Sequence, residues 1–307
     1  MRQLWIILFL MPGAIAVAET LVIAHRGASG YLPEHTLPAV AAAHAMGADY
    51  IEQDVVLTRD DHAIVLHDTT LERTTDVAIR FPDRAREDGH YYAVDFDLSE
   101  IQQLNATERR DEDGHAVFPQ RFPVDTGSFR VPTLAEEIEL IQGMNRSTGR
   151  NVGIYVELKE PEFHAEQGKD LAGVVLRELQ QYGYLGPEDR AFIQCFNAST
   201  LRSMREQTGL PLVQLLADEE LSRASAAEIA EYADAAGPSI SRLLQNSDFV
   251  EFVHDAGMKI HPYTFRADQL PENISSFDEL LDRFIEQLQV DGVFTDHPDL
   301  VRQYLNR

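Results

Sequence analysis

The sequence predicts an α/β fold, a (β/α)8 TIM barrel with a long insertion (a cap) after the second barrel strand. Three observations predict it. Short apolar runs of strand character alternate with runs of helical periodicity along the chain, which implies a parallel sheet flanked by helices. Nine strand candidates are present, and eight of them are free to run parallel. The length of 307 residues, with 44% hydrophobic and 25% charged residues, suits one barrel of about 250 residues plus an insertion. A doubly wound open sheet is the alternative architecture.

The strand candidates in order are residues 21–25, 50–55, 63–66, 152–158, 191–196, 211–216, 238–240, 259–265 and 292–295. The run 63–66 follows 55–58 across the charged turn Arg59-Asp60-Asp61. A turn that short cannot carry a parallel crossover, so these two runs pair as an antiparallel hairpin and the return arm is not a barrel strand. Residues 69–131 break the strand–helix rhythm. They are rich in Arg, Asp, Gly and aromatic residues, with one helix expected near Ser99. A long irregular insertion in a compact domain is a functional lid or a disordered segment; Tyr91, Tyr92 and the phenylalanines favour an ordered cap. Thr133-Leu-Ala-Glu136 and Ser276-Phe-Asp-Glu279 read as capping boxes that start helices. Residues 171–182 have apolar side chains at helical spacing, and Gly183 stops them.

Lys and Arg total 26 against 51 Asp and Glu, a formal charge of −25. That excludes nucleic acid and a stable membrane association, because phosphate-rich partners need a basic footprint. A small or zwitterionic substrate is not repelled. Cys195 is the single cysteine, so no internal disulfide forms, and a buried strand position suits it. No oligomeric state follows from the sequence. Met1-Arg2, the apolar run 4–15 and Ala16-Val17-Ala18 have the layout of a signal peptide, which divides the chain into residues 1–18 and a mature domain 19–307. The apolar stretch is interrupted by Pro12-Gly13 and is shorter than the roughly 20 residues of a membrane span. No cysteine follows it, so a lipoprotein anchor has no attachment atom. Export to a bacterial periplasm is expected.

Alternation shows which side chains share a face. In residues 152–159, Val152, Ile154, Val156 and Leu158 form one face, with Glu157 and Lys159 on the other. Glu52 and Asp54 likewise share a face near a strand end. In a barrel that end holds the active site. Three carboxylates meeting there repel one another unless a cation lies between them. Oxygen ligands without Cys suggest Ca2+, Mg2+ or Mn2+. The same rim receives His25-Arg26-Gly27 and His67-Asp68. Two histidines can serve as base and acid about one bond, and the Arg26 fork suits two phosphate oxygens.

His25-Arg26-Gly27-Ala28, Pro33-Glu34-His35-Thr36, Glu52-Gln-Asp54-Val55, Thr58-Arg-Asp60-Asp61, His67-Asp68, Glu157-Leu-Lys159 and Thr295-Asp296-His-Pro298 follow in this order. The ordered set resembles the glycerophosphodiester phosphodiesterases. Arg80-Phe-Pro-Asp-Arg-Ala-Arg, Asp88-Gly-His-Tyr-Tyr92 and His261-Pro-Tyr-Thr make it similar to the bacterial periplasmic type. The resemblance implies a (β/α)8 barrel that hydrolyses glycerophosphocholine, glycerophosphoethanolamine and similar diesters to sn-glycerol 3-phosphate and an alcohol. It implies Glu52, Asp54 and Glu157 as metal ligands, His25 and His67 as the acid/base pair, and Arg26 and Lys159 as phosphate holders. Ca2+ is the expected ion and Mg2+ the alternative. Phe196 and Tyr263 are further pocket candidates; many relatives have Trp at position 263 and Ser at position 195. Two rival readings are a barrel phospholipase acting on intact lipid, which the acidic insertion disfavours, and a secreted binding or adhesion protein with secondary or absent catalysis.

Overall fold

The computed structural model describes residues 20–217 and 219–307, so the signal-peptide reading of residues 1–18 lies outside the described residues. Nine strands form one sheet: β1 (Leu21–Ala24), β2 (Tyr50–Leu57), β3 (Ala63–Val65), β4 (Gly153–Leu158), β5 (Ala191–Cys195), β6 (Leu212–Leu216), β7 (Ala235–Pro238), β8 (Lys259–Ile260) and β9 (Gly292–Thr295). Their order is β8-β7-β6-β5-β4-β2-β1-β9 with parallel neighbours throughout. β3 pairs antiparallel with β2 as the hairpin requires, Val55 opposite Val65. The ends of the path meet just beyond β8. There the Phe294 N–H donates to the Pro262 carbonyl at 3.1 Å, and the Phe265 N–H to the Phe294 carbonyl at 2.8 Å. The eight parallel strands come round into a barrel rather than a doubly wound sheet.

One strand is displaced from its expected position. The run 238–240 is not the sixth barrel strand; Ala235–Pro238 is, and Ile240 instead opens the helix Ile240–Gln245. Ala-Ala-Gly-Pro carries no branched or aromatic side chain, so it gives no strand signal. The barrel demands this smallness, because a Cβ on Gly237 would lie 2.7 Å from the Leu215 side chain. The expected strand 259–265 is regular only over Lys259–Ile260, then continues through single bridges from Tyr263 to Ser239 and from Phe265 to Thr295.

The core has two shells. Outward-facing Ile51, Ile154, Val156 and Leu212 pack with the helices. Inside, Ile23, Tyr50, Tyr155, Val213 and Phe294 form an aromatic-rich floor. The Tyr155 ring stacks on Phe192 at 4.8 Å and meets Phe294 edge-on at 4.8 Å. Its hydroxyl is 2.8 Å from His261 Nδ1. One step further along β4 the inward position is Glu157, so the barrel turns from apolar floor to charged mouth within a single alternation.

Residues 69–131 contain the short helices Val77–Arg80 and Leu98–Ile101. The helix expected near Ser99 begins one residue earlier, on an Asp97–Glu100 capping box. Leu71, Phe96 and Ile101 pack with Val56, Ile64 and Leu66 from the hairpin as a separate apolar cluster. Thr133 and Glu136 form the capping box that opens the helix Leu134–Thr148. At Ser276 only half of the motif is present. Its hydroxyl accepts from the Glu279 N–H at 3.1 Å, but the Glu279 carboxylate returns to the N–H of Ser275.

Candidate active site

Register brings the acidic side chains together. β2 and β4 pair with Asp54 opposite Glu157 and Glu52 opposite Tyr155. Oxygens of Glu52, Asp54 and Glu157 all lie within 4.8 Å of one another, and all three residues are buried. Burial and then the neighbouring carboxylates push Glu52 well above the usual carboxylate range. Burial also raises Glu157, to about 8, against the opposing charge of Lys159. Asp54 goes the other way: burial opposes its charge, but Lys159 and His35 hold it well below the usual range. Asp54 Oδ2 lies 2.7 Å from His35 Nε2, whereas its Oδ1 is buried without a hydrogen-bond partner. An all-oxygen donor set with one orphaned buried oxygen fits a hard divalent cation.

His25 directly follows β1, and its Nδ1 lies 2.6 Å from Asp296 Oδ1 while Nε2 faces Glu52 Oε2 at 3.8 Å. His67 follows the hairpin return, with Nδ1 2.6 Å from Asp68 Oδ1. Each aspartate is placed to accept Nδ1–H, which leaves the Nε2 lone pair free. Burial and the Arg26 charge push the His25 imidazole down to about 4. Burial, Arg26 and Lys159 push His67 down to about 3.

Arg26 has a positive φ of 57°, followed by Gly27 at 81°. This turn directs the Arg26 N–H to Glu52 Oε2 at 3.0 Å. Glycine is required at 27 because a Cβ there would lie 2.8 Å from the Ala39 carbonyl carbon. The Arg26 fork is not wholly available to a ligand: NH1 donates to both Glu34 oxygens at 3.1 Å, and Nε lies 3.3 Å from Asp54 Oδ2. Lys159 Nζ donates to Glu157 Oε1 at 2.5 Å.

Residues 25–300 match the model of the glycerophosphoryl diester phosphodiesterase family. The chain belongs to that family. It is similar to a glycerophosphodiester phosphodiesterase of Haemophilus influenzae, 38% identical over 94% of this chain and 90% of that one. A glycerophosphodiester phosphodiesterase of Treponema pallidum is 34% identical over 99% and 97% of the two chains. In fold it is similar to a phosphodiesterase of Oleispira antarctica solved in complex with the product sn-glycerol-3-phosphate (TM-score 0.67, 23% identity, 94% and 98% covered). The protein is therefore an enzyme, a phosphoric diester hydrolase.

In this family member His25, Arg26, Glu52, His67, Glu157 and Lys159 line a cavity of ≈ 400 Å³. Phe196 and Tyr263, 6.0 Å apart and edge-on, line the same cavity, with Ser239, Ser241, Arg266 and Gln269. The nine residues expected at the site thus come together, Asp54 beside its two carboxylate neighbours. Sequence reasoning gave no role to several others. Gln194 donates to Glu52 Oε1 at 2.7 Å. Glu34, His35, Asp68 and Asp296 lie inside the quoted motifs, and their adjacency to the histidines and arginine is a usable signal. Arg109 and Arg121, which reach the site from residues 69–131, carry no signal that separates them from other insertion arginines. Cys195 is buried and free, its Sγ 3.4 Å from the Leu158 carbonyl, and burial raises the thiol to about 12.

Proposed function

We propose that the enzyme hydrolyses glycerophosphocholine, glycerophosphoethanolamine and similar glycerophosphodiesters, with a divalent metal and two histidines, to sn-glycerol 3-phosphate and an alcohol. The observation that carries this reading is the convergence of two aspartate-held imidazoles and a three-carboxylate cluster on one cavity. Glu52, Asp54 and Glu157 would hold Ca2+, or alternatively Mg2+. When bound, the ion supplies positive charge at the phosphoryl oxygens and acidifies a nearby hydroxyl.

The chain's own residues do the rest. Arg26 and Lys159 present cations to the phosphate. One imidazole Nε2 takes the proton of the attacking hydroxyl, either water or the substrate's glycerol 2-OH. The anionic phosphodiester raises the proton affinity of the other imidazole, which then gives its proton to the departing alcohol oxygen. Where the 2-OH attacks, water opens the cyclic phosphate with the two histidines exchanging roles. Phe196 and Tyr263 wall the glycerol side. Residues 69–131 act as the cap, and the pattern of residues 1–18 supports export to the periplasm.

The test is product identity. The purified enzyme with Ca2+ should release sn-glycerol 3-phosphate and choline from glycerophosphocholine, and a chelator should abolish the release. Phosphocholine plus glycerol as products, or full turnover in excess chelator, would refute the reading.

A further inference from the structure

The two histidine–aspartate pairs end on the same kind of support. Asp68 uses Oδ1 for His67 and Oδ2 for Arg109 NH1, both at 2.6 Å. Asp296 uses Oδ1 for His25 and Oδ2 for Arg121 NH2, again both at 2.6 Å. Both arginine side chains are buried, 8% and 3% exposed. Both come from residues 69–131, outside the barrel's strand–helix units. Each is also anchored at its far side. Arg109 donates from Nε and NH2 to the two oxygens of Glu34, at 3.0 and 2.6 Å. Arg121 donates from Nε and NH2 to the two oxygens of Asp268, at 2.7 and 3.0 Å, and stacks on the Phe118 ring at 3.7 Å.

A carboxylate held at one oxygen can still swing about its terminal torsion. Held at both oxygens, it fixes the plane in which it accepts the imidazole Nδ1–H, and so fixes where Nε2 points. We propose that Arg109 and Arg121 are positioning residues for His67 and His25, so that residues 69–131 are part of the catalytic apparatus rather than only a cover over it. The inference rests on the proton-transfer reading of the two histidines. The two supports are unequal. Asp296 Oδ2 has a second cation in Arg266, whose Nε lies at 2.9 Å. Among the described residues Asp68 has Arg109 alone. Removing Arg109 is therefore the more damaging change.

The experiment compares Arg109→Gln and Arg121→Gln with the wild type as Ca2+-loaded full chains, using glycerophosphocholine for kinetics and 15N-histidine NMR for the imidazole N–H signals. Arg109→Gln should lower kcat about 10- to 100-fold with KM changed less than about threefold. Glu34 still holds Arg26 in that variant, so ground-state binding persists. Arg121→Gln should lower kcat by less. In the NMR arm Arg109→Gln should move the His67 signal alone, and Arg121→Gln the His25 signal alone. Unchanged kcat in both folded variants, a rise in KM at constant kcat, or both imidazole signals moving together in either variant would overturn the proposal. If a glutamine variant does not fold, Arg109→Lys and Arg121→Lys serve for the same two readouts. Lysine keeps the buried charge but cannot bridge two carboxylates as the fork does, so smaller shifts in the same direction are expected. Should His25→Ala and His67→Ala retain wild-type turnover, the proton-transfer reading itself fails. Should they lose turnover while the arginine variants do not, only the positioning inference fails.

Discussion

His25 is buried and His67 partly buried where neither gains a charge easily, and each is turned by an aspartate so that one nitrogen faces the cavity. That placement suits the proton-transfer role proposed for them better than that of fixed cations. His25→Ala and His67→Ala should each lower kcat by roughly 10²- to 10⁴-fold, the range of general acid–base catalysis, with unchanged far-UV circular dichroism. The carboxylates make a different prediction. Glu52 and Glu157 repel each other and Asp54 until a cation joins them, so Ca2+ should stabilise the wild type, by about 2.7 kcal/mol at a hundredfold excess over its Kd. Asp54→Asn removes the charge beside the orphaned Oδ1 and should abolish most of that rise in a thermal-melt titration. An equal Ca2+ shift in the variant would place the ion elsewhere.

Individual elements were readable to differing degrees. The helix Leu171–Gln181 and the β2–β3 hairpin declare themselves through spacing and a charged turn. The strand Ala235–Pro238 does not, because its residues are small for packing inside the barrel rather than apolar for covering its outside. The Thr133–Glu136 box is a local signal that survives in the tertiary structure, with Thr133 Oγ1 accepting the Glu136 N–H at 3.1 Å. Thr133→Ala should cost about 1 kcal/mol of unfolding free energy in urea. Gly27→Ala should cost more than about 1 kcal/mol, because both the left-handed backbone and the Ala39 contact oppose it. It should also lower turnover by shifting the Arg26 N–H from Glu52. A Gly27→Ala enzyme of wild-type stability would show that this turn is less constrained than its geometry implies.

At the scale of the whole molecule, part of the pH dependence comes from buried neutral groups. His261 lies inside the barrel, and burial pushes its imidazole down to about 4 from an ordinary 6.5. Above pH 6.5 both folded and unfolded chains leave it neutral and its contribution is complete. Between 6.5 and 4 the unfolded chain takes up a proton that the folded chain refuses, so stability falls with pH and levels off below 4. A shift of that size corresponds to about 3 kcal/mol. Urea unfolding at pH 7.5 and pH 4.5 should show this loss, and His261→Gln should lose measurably less over the same interval. An equal loss in the variant would assign the effect to other groups. The formal charge of −25 acts at long range, while Arg26, Lys159 and Arg266 bring positive charge to the cavity wall beside Glu52 and Glu157.

The sequence by itself determined the barrel, the hairpin and part of the cavity lining, and its ordered motifs from His25 to Pro298 carried the family. The barrel, the hairpin and the predicted lining rest on spacing within a few positions of the chain: two-residue alternation puts Glu52, Asp54 and Glu157 on inward faces, and strand ends deliver His25 and His67 to one rim. Only the tertiary structure decided what supports them. Asp296 is 271 positions from His25, Arg121 is 175 from Asp296, and Arg109 is 75 from Glu34. No local period encodes contacts over such separations. They exist because barrel closure sets the ends of β1 and β9 side by side, and because the apolar cluster of residues 69–131 packs against the hairpin that carries His67.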